Sequence, residues 1–250
     1  MKKCLLAALF IAAHLTLSAQ SKTVATQYNA WLMYFGTHKV SEHWGVHLEA
    51  QWRRADGFES PQQLLLRTGV NYHFGPKAFA TAGYAFIETY PYGEQPAAAT
   101  FPEHRIWQQL QVKNQMGAFE WVSRFRLEQR FVNSPVLTSG NTFEPGDAVY
   151  TNRFRLLNRI SVPFKGKTIV DRSLYITAYD EIMINFGENV GLNLLDQNRA
   201  YVALGYQFPK VGRLELGYMN QYIIKSNGTA FENNHTLQVA IFSNFAFRKN

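Results

Sequence analysis

W-V-S-R-F-R-L-E-Q-R-F, residues 121–131, is the stretch on which the reading of this chain turns. Alternate positions hold Trp121, Ser123, Phe125, Leu127, Gln129 and Phe131, which are mostly apolar or small. The positions between hold Arg124, Arg126, Glu128 and Arg130. A period of two belongs to a β-strand, whose successive side chains point to opposite faces. A helix would scatter these charges around its circumference. A strand this long, with one apolar and one ionic face, needs two solvents, and a bilayer outside with a polar lumen inside supplies both. Slipping the register by one would turn three arginines to lipid, at about 2–4 kcal/mol each near the midplane. The total of roughly 6–12 kcal/mol rivals the stability of a whole domain.

The alternation recurs in both directions from this strand. Trp44, Val46, Leu48, Ala50 and Trp52 alternate with His47, Glu49, Gln51 and Arg53. The two tryptophans lie about 26 Å apart along the strand, most of an apolar band of about 25 Å once tilt is allowed for. Leu64, Leu66, Val70 and Tyr72 alternate with Arg67, Asn71 and His73. Ala78, Ala80, Ala82, Tyr84 and Phe86 form a fourth outer face. Ile106, Leu110 and Val112 stand opposite Arg105, Gln109, Gln111 and Lys113, with Gln108 on the wrong side for this assignment. Tyr150, Phe154, Leu156, Ile160 and Val162 alternate with Arg153, Arg155 and Arg159. Residues 174–186 carry adjacent Asp180 and Glu181, so one must face outward unless a β-bulge intervenes. Residues 199–208, 214–223 and 234–247 read as the last three strands, and the facing of residues 28–35, the first, is left open.

Turns alternate short and long. Short links fall at residues 75–76, 115–117 and 209–211, with residues 36–42 a further turn of that set. Long ones begin near Arg54, Pro91, Asn133, Gly187 and Lys225. Transmembrane barrels follow this rule, with short periplasmic turns and longer external loops. Eleven strands are legible, whereas bacterial barrels have even counts. The expectation is therefore about twelve, with a short strand in residues 20–30 or an N-terminal segment threading the lumen.

Composition agrees with this reading. The chain has 250 residues, 46% hydrophobic and 15% aromatic, and only 17% charged against about 25% in a typical soluble domain. Residues 1–19 read as a secretory signal: Lys2 and Lys3, an apolar run, then Leu17-Ser18-Ala19. The remaining residues, 20–250, read as a single barrel domain. Cys4, the one cysteine, lies inside the signal, so disulfides and cysteine metal sites are excluded from the processed chain. Net charge is +7, but the basic residues sit at alternate strand positions rather than in blocks, which argues against nucleic acid. No later apolar run is long enough for a spanning helix, which leaves a closed barrel as the membrane solution. The fold class expected is all-β, a transmembrane antiparallel up-and-down β-barrel.

Five phrases carry a family resemblance: R-F-R-L-E-Q-R-F (124–131), N-R-F-R-L-L-N-R (152–159), Y-D-E-I-M-I-N (179–185), Q-N-R-A-Y-V-A-L-G-Y (197–206) and L-E-L-G-Y-M-N-Q (214–221). In this order they resemble the DUF2490 family of outer-membrane barrels, frequent in Bacteroidetes. The resemblance implies a barrel in an outer membrane and no assigned activity. The ending Phe245-Ala246-Phe247 looks like the C-terminal aromatic signal read by the bacterial barrel-assembly machinery, although Arg248, Lys249 and Asn250 follow it. Outer-membrane lipid, lipopolysaccharide and that machinery are the partners expected.

The inward face collects Arg53, Arg67, Arg105, Lys113, Arg124, Arg126, Arg130, Arg153, Arg155, Arg159 and Arg199 against Glu49, Glu128, Glu181 and Glu215. Two lumens fit this set. One is an anion-attracting pore, since basic rings favour anions. The other is a wall locked by Arg–Glu pairs; about twelve strands lie between the roughly eight that fill themselves and the roughly sixteen that leave a channel, and a locked or narrow lumen is the one expected. His43 and His47 have chelating spacing only on a helix; on a strand they stand roughly 13 Å apart, so neither metal nor cofactor is expected. No G-x-S-x-G elbow or Gly-rich phosphate loop is present, and an enzyme is not expected. The rivals are an outer-membrane lipid hydrolase and a secreted soluble β-barrel that binds a ligand.

Overall fold

The computed structural model describes residues 22–245. The wall begins with β1 (Thr23–Lys39), β2 (Trp44–Ala55), β3 (Ser60–Gly75), β4 (Ala78–Thr89), β5 (Phe101–Met116) and β6 (Phe119–Val132). A separate hairpin follows, β7 (Pro135–Ser139) and β8 (Thr142–Pro145). The wall resumes with β9 (Val149–Pro163), β10 (Leu174–Phe186), β11 (Leu195–Phe208), β12 (Gly212–Ile224) and β13 (Ala230–Ser243). The eleven wall strands close into a barrel. Successive strands pair antiparallel.

The closing seam differs. β1 and β13 run parallel, in register from Thr23 opposite Ala230 to Gly36 opposite Ser243. An odd number of up-and-down strands leaves the first and last pointing the same way, so only parallel pairing can shut the sheet. This corrects the expected count of about twelve. The described part of residues 20–30 holds no separate strand and does not thread the lumen; it is the start of β1, inside the wall. Parallel pairing is slightly weaker per residue than antiparallel, but it leaves no open edge.

The barrel is polar inside and apolar outside. Glu128 is 0% exposed, whereas Leu204, on the outer face, is 57% exposed. The facing of β1 is decided: Gln27, Asn29, Trp31 and Met33 point inward, Tyr28 and Leu32 outward. Two small apolar clusters lie within the lumen, one around Trp31, Met33, Tyr201 and Met219, the other around Leu65, Ile87 and Trp107. Outside, Trp44 packs edge-on to Tyr72 at 5.0 Å near one end of β2, and Trp52 packs on Phe58 at 5.2 Å near the other.

The two outward polar residues that troubled the sequence reading are paired on the surface. Gln108 does face outward, where its amide and that of outward Gln129 exchange two hydrogen bonds of 3.1 Å. Between Asp180 and Glu181 there is no bulge; the one register shift between β10 and β11 comes later, at Met183/Ile184. Glu181 is buried inward and Asp180 faces out, where the Asn198 amide donates to it at 3.0 Å. Asp180 belongs to a polar row that follows the pairing register from β6 round to β1. Ser123 stands opposite Asn158, Asn158 opposite Asp180, Asp180 opposite Ala200, Ala200 opposite Asn220, Asn220 opposite His235, and His235 opposite Tyr28.

Strand ends run past their apolar pattern. The turn expected at residues 36–42 shrinks to 40–43, because β1 continues to Lys39 paired with Gly45. The Tyr34 and His38 side chains cross Gly36, where a Cβ would come within 2.5 Å of His38 Nε2. The loop expected at residues 54–61 shrinks to a single 3-10 turn, Asp56–Phe58, and Glu59, with Gly57 at a φ of 74°. At the short-turned end, residues 164–173 make a ten-residue link that breaks the alternation. β13 stops at Ser243, and the Phe245 ring stacks on His38 at 5.6 Å beside the β1 turn. Residues 1–19, which the sequence presents as a signal, and Phe247 lie outside the described residues.

Candidate functional site

Strand alternation delivers every second residue of each wall strand to the lumen, and the charged ones meet there. Glu128 of β6 is the hub. Arg153 and Arg155 of β9 reach it at 2.7 and 2.9 Å, Arg67 of β3 at 3.2 Å, Arg105 of β5 at 3.6 Å and Arg126 at 4.0 Å. Arg155 also reaches Glu181 at 2.8 Å, where Arg124 meets it at 2.8 Å and Arg199 stands at 3.8 Å. Arg67 reaches across to Glu49 at 2.7 Å, and His47 lies 3.3 Å from that same carboxylate. Glu103 receives Arg105 at 2.6 Å and Arg130 at 2.5 Å. The result is one network, Glu103–Arg105–Glu128–Arg155–Glu181 with Arg67 and Glu49 joined on, running from β2 to β10 across the lumen.

A second cluster lies towards the opposite mouth. Glu215 takes Arg159 and the Tyr175 hydroxyl, the latter donating at 2.7 Å. Glu120 takes Arg213 at 2.7 Å and Lys113 at 2.7 Å. Lys113 is the sequence-read lumenal residue that lies at a rim, with its side chain 45% exposed. Two indoles are wrapped by cations: Trp107 by Arg126 and Arg67 at 4.8 and 5.3 Å, and Trp31 by Arg53 and Arg199 at 4.1 and 5.4 Å. Such contacts add roughly 0.5–2 kcal/mol each.

Six lumenal charges escaped the sequence reading: Glu103, Glu120, Asp196, Arg213, Lys225 and Glu232. Each lies beyond the expected end of its strand, in what the sequence presented as loop or turn. Parity alone would have found several, since Glu103 is two residues from Arg105, Arg213 two from Glu215, and Glu232 two from inward Asn234. The additions bring two cations and four carboxylates. Among the described residues, thirteen lumenal cations therefore face eight carboxylates. The histidines go to separate places: His38 to Phe245, His47 to Glu49, and His43 to a stack on Tyr72 at 5.8 Å.

The network divides the lumen. On one side is a cavity of about 250 Å³ lined by Trp31, Arg53, Tyr92, Arg153 and Arg199. On the other is one of about 320 Å³ lined by Thr37, Glu120, Arg213 and Glu215. Between them lies a smaller cavity of about 70 Å³, among Glu49, Arg67, Arg155 and Glu181. The link at residues 90–100 folds over the first cavity. Its Tyr92 hydroxyl donates to Glu232 at 3.0 Å, and burial pushes that phenol above its ordinary range. Gly93, at a φ of 68°, lets this link sit against Gln27, whose amide would lie 2.1 Å from a Cβ there.

Fold and site define a class: a closed, eleven-stranded β-barrel with an ionic interior and an apolar exterior. The family profile described as protein of unknown function, DUF2490, matches residues 28–232, and the chain belongs to that family. No curated protein matches the chain. Among solved structures, the siderophore receptor PirA from Pseudomonas aeruginosa is similar at 11% identity and a TM-score of 0.28. The match covers 74% of this chain, which spans 32% of the receptor.

Proposed function

We propose that this protein is an integral outer-membrane β-barrel whose lumen is shut by a fixed arginine–carboxylate plug. It acts as a wall protein that leaks, at most, small anions. The observation that carries this reading is the inverted interior. A carboxylate hub is completely buried among guanidiniums, while leucines, valines and aromatics cover the outside. A water-soluble barrel of this size would need the opposite arrangement, with its large apolar side chains inside. The aromatic pairs at both ends of β2 fit the two interfaces of a bilayer. Outer-membrane lipid and lipopolysaccharide are then the surroundings of the wall, and the barrel-assembly machinery its route of insertion.

The narrow middle of the lumen favours the shut state over an open pore. Excess positive charge favours anions in whatever passes. The test is purification in detergent followed by planar-bilayer recording. Detergent-dependent solubility, heat-modifiable gel migration, and a silent membrane or a small anion-selective leak are expected. A large steady conductance would replace the plug with a pore. A protein freely soluble without detergent would remove the membrane reading altogether.

A further inference from the structure

The cavity beneath the 90–100 link is built differently from the plug below it. In the plug, each guanidinium has a carboxylate within ion-pair reach. Arg53 has none among the described residues. Its Nε donates to the Gln51 side-chain oxygen Oε1 at 2.9 Å, and a terminal nitrogen donates to the Gln63 side-chain oxygen. Arg199 fares little better. Glu181 stands 3.8 Å away and is already taken by Arg155 and Arg124. Its Nη2 donates to neutral Gln197 at 3.0 Å, and its Nε has no hydrogen-bond partner although the residue is only 7% exposed. Both guanidiniums rest on Trp31, whose own Nε1 donates to Gln62 at 2.7 Å and so fixes the ring.

Buried cations short of counter-charge are costly, and neighbouring ones repel. Here two are held rigidly by amides and an indole, beside a cavity of about 250 Å³ that both of them line. Planar guanidinium forks match the tetrahedral oxygens of phosphate with parallel hydrogen bonds. The geometry points to a binding site for a phosphate group in this cavity, held by Arg53 and Arg199 against Trp31, with Tyr92 and the 90–100 link covering it. The cavity suits inorganic phosphate or a small phosphorylated molecule. The site needs the closed barrel but not the bilayer, so it stands apart from the membrane reading.

The test uses the folded full-length protein in detergent, with folding checked by heat-modifiable migration. Inorganic phosphate, a hexose phosphate and the unphosphorylated hexose are each titrated by calorimetry. Saturable binding of a phosphate-bearing probe is expected, and none of the neutral sugar. Saturation by inorganic phosphate alone assigns the site to the free ion; tighter binding of the hexose phosphate assigns it to a phosphorylated organic molecule. Arg53→Gln and Arg199→Gln should each weaken binding by about tenfold or more. Lys167→Gln, exposed in the link at residues 164–173, should leave it unchanged. Arg199→Lys keeps the charge and loses the fork; it serves if a glutamine variant does not fold, and weaker binding is again expected. Absence of saturable phosphate binding in the folded wild type, or wild-type affinity in the arginine variants, overturns the site.

Discussion

Glu128 illustrates what a single side chain does in this molecule. Five guanidiniums converge on its carboxylate, and it is fully buried. Neutralising it in Glu128→Gln leaves several buried cations short of a counter-charge. Removing one partner of a buried ion pair costs about 3–5 kcal/mol. A loss of at least that size is expected, read as a lower denaturant midpoint for loss of the heat-modifiable form. A midpoint shift no larger than that of a surface substitution would mean that the plug does not hold the wall. At this scale the sequence was partly legible. Parity predicted that Arg155 points inward, but not that it would bridge Glu128 of β6 and Glu181 of β10, because those partners are 27 and 26 positions away in the chain.

At the scale of elements, the strands were legible where they cross the apolar belt and illegible where they leave it. β5 begins at Phe101 rather than His104, and β11 at Leu195 rather than Arg199, because outside the belt nothing enforces apolar alternation. That is why Glu103 and Asp196 were missed. The outer face shows the converse: polar residues sit there when a neighbour satisfies them. Gln108 and Gln129 form such a pair across β5 and β6. Replacing either one by leucine leaves an unmatched amide on the apolar outer face and should cost about 1–2 kcal/mol, while replacing both should be neutral or stabilising. A double-mutant cycle on the detergent-folded protein measures this. Additive effects would mean that the pair is not formed. The polar row from Ser123 to Tyr28 follows the same logic, with Ser123 donating to Asn158 at 2.7 Å and Asn220 to Asn233 at 2.7 Å.

For the whole molecule, the decisive feature is how the sheet closes. Leu32 of β1 stands opposite Val239 of β13 on the outer face. Cysteines introduced at both positions, in a chain whose native cysteine is at position 4, should oxidise to a disulfide in the folded barrel. Gel mobility under non-reducing conditions reads the link after heat unfolding. Failure of the folded protein to cross-link there would argue against parallel closure. Eleven strands, one parallel seam and a mid-lumen plug are properties of the closed assembly. None of them belongs to any one segment.

Period-two alternation along each strand is a local property, since successive Cβ atoms point to opposite faces whatever the rest of the chain does. From the sequence alone it determined the all-β class, the inward facing of the arginines and the apolar character of the outer wall. Only the tertiary structure decided the parallel seam between β1 and β13, the guanidinium that each carboxylate meets, and the division of the lumen into two cavities. Those depend on how strands are staggered around a closed cylinder, which brings together residues far apart in the chain, and no local period encodes that distance.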